Sequence, residues 1–287
     1  MNVLLSNALF TIIPYAEMTM IDYSIRILVF ITFFSSLIAW QITSPKVQPI
    51  NWQQRWRNNL SLFGLDIIVV RLLQPSILAL LALHLSNRPA LHIDWIQQSY
   101  WLTLFLSIVI LDMAVYWQHR VSHTLPFLWR FHKVHHSDAQ IDVSSAIRFH
   151  PVEIALSLLY KGAIIYLFAI PVEAVLLFDI ILNASAMFNH TNGKLPKRVD
   201  TLIRLFIVTP DMHRIHHSTR LNEANSNFGF FLSCWDRCFS SYISTPQNGD
   251  KGLQTGLPLI KSTAKEEPLQ ESLFNLLKMP FIKNVIK

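Results

Sequence analysis

Glycine is scarce. Seven glycines in 287 residues leave little backbone for phosphate cradles, and Gly-x-Gly-x-x-Gly, a Walker loop and Gly-x-Ser-x-Gly are all absent. Nothing here therefore supports a dinucleotide fold, a P-loop or a serine-hydrolase elbow. There are only two cysteines, Cys234 and Cys238 in "CWDRC". Without a second pair they make a poor zinc site, and they are read as packing residues with reduced thiols. His-Glu-x-x-His does not occur, which removes support for a zinc protease. Glu-x-x-His does not occur either, so the carboxylate-rich di-iron bundle is unsupported. The chain has no Gly/Ser linker, no jump in composition and no repeat of 20–50 residues, so it reads as one domain over 1–287. The first 23 residues contain no Lys or Arg and no small-residue cleavage site, and they are not expected to be a cleaved signal.

What fills the chain is apolar. Hydrophobic residues make up 52%, charged residues only 15%, and mean hydropathy is +0.34. Four hydrophobic regions, 24–42, 60–84, 98–118 and 152–189, have the length of membrane spans. The longest carries Pro171 near its middle and is expected to be two half-crossings or a hairpin. If the first three regions cross, Lys46, Arg55 and Arg57 share one side with Arg120, Arg130, Lys133 and Arg148. The opposite side holds little beyond Arg88, so the positive-inside rule puts the segments after 118 in the cytoplasm. The expectation is an all-α, integral multi-pass membrane protein: a transmembrane helical bundle with a cytosolic helical cap. Its parts are N-terminal membrane helices over about 1–100, a core over about 101–245, and a cytosolic tail over about 246–287. The net charge of +6 flanks spans and forms no single stripe, so nucleic acid is not an expected partner.

The stretch "FHKVHHS" returns as "MHRIHHS". With 12 histidines, one His-x-x-His-His is expected by chance about 0.02 times, and two about 0.0002 times. His132, His135 and His136 follow Pro126, which can start a helix. His213, His216 and His217 follow "TPD", in which Thr209 can cap and Pro210 can take the first turn. Upstream, "HRVSH" places His119 and His123 four apart, on one face of the helix that continues the 98–118 span. The same face carries Asp112 and Tyr116. An aspartate in a membrane helix costs about 2.5–3.5 kcal/mol on insertion scales and calls for a partner. Accepting the free N–H of a metal-bound imidazole is one such role; pairing with an arginine is another. Eight imidazoles suit two metal ions with open positions, and imidazole alone does not choose among Zn, Cu, Fe and Ni. His190 in "MFNHTN" falls where the hairpin exits and is a ninth candidate. His150 in "RFHPVE" can be a ligand, a supporting donor or a structural residue before proline. Asp211 is a further candidate beside the last box. His84 and His92 fall toward the far side and are set apart from the site.

Together, "DMAVYWQHRVSH", "LWRFHKVHHS", "RFHPVE", "FNHTN", "PDMHRIHHS" and "NFGFFLSCWDRCFSSY" resemble the fatty acid hydroxylase/sterol desaturase superfamily over about Asp112 to Tyr242. The resemblance implies a multi-pass helical protein whose histidines hold two irons at the cytosolic membrane surface. It implies use of dioxygen as co-substrate and of an external electron donor (a ferredoxin, cytochrome or reductase) to hydroxylate or desaturate a lipid. By matching position, His119, His123, His132, His135, His136, His213, His216 and His217 are the implied ligands, with His190 added. An unactivated C–H bond offers no handle to acids, bases or nucleophiles, whereas a redox metal with dioxygen can attack it. Zinc has no accessible redox change. The alternative is a non-catalytic membrane protein that binds metal or haem, but haem takes only one or two axial histidines. A pocket lined by the helices of 98–118 and 152–189 is expected, with Phe105 and Phe178 among its residues. Lys133, Lys194, Lys197, Arg198, Arg214 and Arg220 are expected to form a basic surface for an acidic partner or anionic lipid. The tail "ESLFNLLKMPFIKNVIK" is either a membrane-surface helix or a packing element.

Overall fold

Proline and threonine set the helix starts much as their chemistry requires. In the computed structural model, which describes residues 27, 28, 30–85, 99–257 and 272–282, the regular structure among the described residues is helical, with three isolated bridges and no strand. The long elements are α1 (Phe30–Thr43), α2 (Trp52–Leu85), α3 (Tyr100–Thr124), α4 (Pro126–His136), α5 (Pro151–Leu167) and α6 (Val172–His190). Two shorter ones follow, α7 (Lys197–Ile203) and α8 (Pro210–His216). Pro126 and Pro210 occupy the first turns of α4 and α8, where a missing N–H costs nothing. The Thr209 hydroxyl accepts the Met212 N–H and caps α8, as the "TPD" signal predicts.

Pro171 divides the longest apolar stretch, with α5 ending at Leu167 and α6 starting at Val172. The start of α5 and the end of α6 both meet the histidine boxes: Glu153 touches His132, and His190 touches His135. The chain thus leaves the histidine end and returns to it, as the hairpin expectation requires. Helix α2 packs along α5, while α3 packs on α4, α5 and α6. Leu111 and Val115 of α3 close against Ile170, Ala174 and Phe178 in a buried apolar core.

Among the described residues, α3 and α6 alone are long and apolar enough to cross a membrane. The expected span 24–42 lies partly outside the described residues, and α1 is shorter than the ~17 residues a span needs. The tail behaves as a packing element, because Leu276 and Met279 are buried against Leu62 and Val134. Cys234 is half-buried and Cys238 exposed, both free, so the packing role expected of Cys238 is corrected. The expected basic surface is also reduced. Of its residues, Lys133 and Arg214 are buried.

Candidate metal centre

Three helices and one helix end deliver the imidazoles. His119 and His123 come from α3, His132, His135 and His136 from α4, His190 from the last turn of α6, and His213 and His216 from α8, with His217 at its C-cap. All nine are buried. They form two groups, His119, His123, His132, His136 and His216 in one, and His135, His190, His213 and His217 in the other. Within each group the ligand atoms lie within 4.8 Å of one another.

Hydrogen bonds decide which nitrogen of each ring faces inward. The Nδ1 of His119 stands 2.7 Å from the Phe228 carbonyl, that of His216 2.7 Å from the Ser226 carbonyl, and that of His132 2.6 Å from Glu153 Oε1. A carbonyl or carboxylate only accepts, so each ring keeps its proton on Nδ1 and presents a bare lone pair at Nε2. In the first group the Nε2 atoms of all five histidines are buried with no protein partner. Each such orphan costs about 1–3 kcal/mol unless something binds it.

The second group makes the case more sharply. His190 Nδ1 donates to the Ala186 carbonyl at 2.7 Å and His135 Nδ1 to that of Arg148 at 3.3 Å. Both Nε2 lone pairs then face each other across 3.1 Å. His213 Nε2 lies 3.1 Å from His190 Nε2 and 3.2 Å from His217 Nε2. Facing lone pairs repel, and a shared cation relieves them. Two nitrogens bound at right angles to one ion at about 2.1 Å stand about 3.0 Å apart. The donor set therefore fits two imidazole-binding metal ions.

Burial, and then the neighbouring imidazoles, hold His135, His136, His213 and His217 well below the ordinary histidine range. Burial lowers His216 to about 3. Neutral rings are what a metal requires.

The support around the boxes is built mostly from residues the sequence reading did not single out. Glu153, in the first turn of α5, orients His132. Its signal was an acidic residue three positions after His150 in a quoted motif. Arg148 donates from Nε to the Val134 carbonyl, from one terminal nitrogen to Asn59 Oδ1 and from the other to Ser137 Oγ. Its own carbonyl takes His135. Arg55 grips Asp138 with Nε and a terminal nitrogen, at 2.6 and 3.0 Å. Burial works to raise Asp138, but Arg148 and Arg55 outweigh it and hold the carboxyl at about 2. Asp236 accepts the N–H groups of Phe228 and Gly229 at 2.8 and 2.9 Å, fixing the carbonyl that receives His119.

Four other candidates take roles outside both groups. Asp112 reaches no imidazole; its Oδ2 accepts Trp235 Nε1 at 2.7 Å and the Leu232 N–H at 3.1 Å. Asp112 thus takes no imidazole N–H, one of the roles open to it, and His119 Nδ1 is taken by a backbone carbonyl. Tyr116 shares a 2.8 Å bond with Ser241 and receives Arg120. Asp211 pairs with Lys46 at 2.8 Å, tying the last box to the segment after α1. His150 caps α5, its Nδ1 accepting the Val152 N–H while Nε2 donates to the Leu277 carbonyl. The side chain of His84, and His92 altogether, lie outside the described residues.

A cavity of about 400 Å³ opens beside the first group, between α2, α3, α5 and α6. His119 and His132 form part of its wall, with Phe63, Ile67, Val70, Ile154 and Leu158 among its apolar lining. Phe105 and Phe178 do not line it, which corrects that expectation: Phe105 points outward and Phe178 is locked in the α3–α6 core. Helix α2 supplies the wall those residues were expected to supply.

A fatty acid hydroxylase family model matches residues 104–241, the segment that carries all nine histidines. That segment, just under half of the chain, is similar to the fatty acid hydroxylase family. The chain is 31% identical over 142 residues to an ornithine lipid hydroxylase of Rhizobium tropici, covering 50% of this chain and 42% of that protein. It is 30% identical over 162 residues to an alkylglycerol monooxygenase of Danio rerio, covering 55% and 33%. To a Delta(7)-sterol 5(6)-desaturase of Aspergillus fumigatus it is 30% identical over 138 residues, covering 48% and 38%. The matches thus span less than half the length of these relatives. No solved structure matches the chain.

Proposed function

We propose that this protein is a member of the fatty acid hydroxylase/sterol desaturase superfamily and a membrane-bound, dioxygen-dependent oxidoreductase that hydroxylates or desaturates a C–H bond of a lipid. One observation carries the reading: two converging sets of buried imidazoles, one of which forms the wall of a largely apolar cavity. In this reading His119, His123, His132, His136 and His216 hold one iron, and His135, His190, His213 and His217 the other. When bound, the irons supply the one-electron chemistry with dioxygen that an unactivated C–H bond needs.

The chain's own residues do the rest. Glu153 and the carbonyls of Phe228, Ser226, Arg148 and Ala186 fix ring orientation and keep protons off the binding nitrogens. Phe63, Ile67, Val70, Ile154 and Leu158 exclude water and hold an apolar chain against His119 and His132. Hydroxylation places one oxygen atom in the product and reduces the other to water, so two electrons and two protons must arrive from an external donor. We place α3 and α6 across a bilayer, with further crossings from α2 and from the region 24–42, and the histidine end on the cytoplasmic side. That orientation rests on the positive-inside pattern of Lys46, Arg57, Arg120 and Arg130.

The test is lipid mass spectrometry on cells with and without the protein, joined to metal analysis of anaerobically purified protein. The expected result is a lipid gaining one oxygen or losing two hydrogens, and about two irons per chain. A protein that holds iron yet leaves every lipid unchanged, with no oxygen uptake, refutes it.

A further inference from the structure

The cavity carries a polar group that oxidation of a plain hydrocarbon does not call for. Asp66, on α2, is 5% exposed, lines the cavity and has no hydrogen-bond or ion-pair partner among the described residues. Its Oδ1 is fully enclosed with nothing bound to it. Glu153 lines the same cavity; one of its oxygens holds His132 while the other, Oε2, is also enclosed without a partner. The two carboxyl groups are close enough for their charges to act on one another. An ionisable side chain within an apolar helix is expensive and is by default a functional group. Asp66 also lies outside the segment 104–241 that matches the family, on the helix that forms one wall of the cavity.

Two unpaired acceptor oxygens call for a ligand that donates hydrogen. An ammonium group is disfavoured, because Arg71 and Lys161 line the same cavity. A hydroxyl is neutral, donates to a carboxyl oxygen and also accepts from a donor such as the Gln118 amide in the same wall. Resting on the lipid-oxidising reading above, we propose that the cavity selects a lipid bearing a hydroxyl close to the reacting carbon, and that Asp66 is the positioning residue that accepts that hydroxyl's hydrogen bond. Because Glu153 bridges from this spot to His132, the hydroxyl sits beside the first histidine group. The carbon exposed there lies at the polar end of the lipid and not in mid-chain.

The experiment measures binding, not turnover. Full-length protein in nanodiscs is equilibrated with radiolabelled hexadecane-1,2-diol or hexadecane, and retention is taken relative to empty discs. Wild-type protein is expected to favour the diol by about tenfold or more, since hexadecane leaves the buried acceptor without its hydrogen bond. Asp66→Leu is expected to reduce that preference to less than about twofold while hexadecane retention and iron content stay unchanged. Asp66→Asn, which keeps one accepting oxygen, should fall between the two. Equal retention of both probes by wild-type protein overturns the proposal without any variant, as does an undiminished diol preference in Asp66→Leu or Asp66→Asn. A diol preference lost in Asp66→Leu, with no lipid oxidised in cells, sinks the oxidase reading and leaves this one standing. Equal oxidation of lipids with and without the hydroxyl does the reverse.

Discussion

Replacing Glu153 by glutamine changes one oxygen to nitrogen and removes a charge, and the structure says what each change does. Oε1 lies 2.6 Å from His132 Nδ1, a charge-assisted bond in a site closed to solvent. Glutamine can still accept through its carbonyl, so the ring keeps its orientation, but the ring nitrogen facing the first group loses basicity. Removing such a carboxylate typically costs 10–100-fold in metal affinity, or about 1.4–2.7 kcal/mol. The metal-free protein responds in the opposite direction. The enclosed Oε2 has no partner, and neutralising a buried, half-satisfied carboxylate relieves its desolvation. The expected pattern for Glu153→Gln is therefore loss of one iron at about 10–100-fold lower chelator concentration, retention of the other iron, and a metal-free thermal midpoint equal to or above that of wild type. Chelator titration followed by metal analysis, with thermal unfolding of the stripped protein, reads both. A variant that releases both irons together, or holds both as tightly as wild type, refutes the assignment of Glu153 to the first group alone.

The carboxylate of Asp112 serves packing, so Asp112→Ala should leave iron content at wild-type level while lowering stability by about 1–3 kcal/mol, because the Trp235 and Leu232 N–H groups lose their acceptor. Loss of metal with unchanged stability would reverse that assignment. For metal-free protein, the lowered His135, His136, His213, His216 and His217 set the pH dependence. Their rings stay neutral in the fold, while the unfolded chain takes up protons below about 6.5. Stability is then full above that pH and falls as pH drops through it, by up to about 1.4 kcal/mol per unit for each ring. Denaturant titrations of stripped protein between pH 8 and 5 check this, and a flat profile would contradict it.

The histidine boxes were legible in the sequence because i, i+3, i+4 spacing and a proline or threonine start are local facts. They give a helix, its first residue and the face on which the imidazoles lie. Pro171 was legible for the same reason. What faces each box was not. Asp112 and His119 share a face of α3, which made a bond between them a fair expectation, but their partners arrive from residues 228–235, and no local pattern specifies that approach. Lys133 looked like surface charge because composition counts a basic residue without knowing that the fold buries it. Asp66 shows both sides of this. A lone aspartate inside an apolar run raises the same cost argument that drew attention to Asp112, and only tertiary packing shows that Asp112 found an indole and a backbone amide while Asp66 was left facing an empty-handed glutamate. Insertion cost marks a residue as needing a partner, and the fold decides whether that partner is protein or ligand. The residues whose partner is missing from the chain are where the search for a substrate begins.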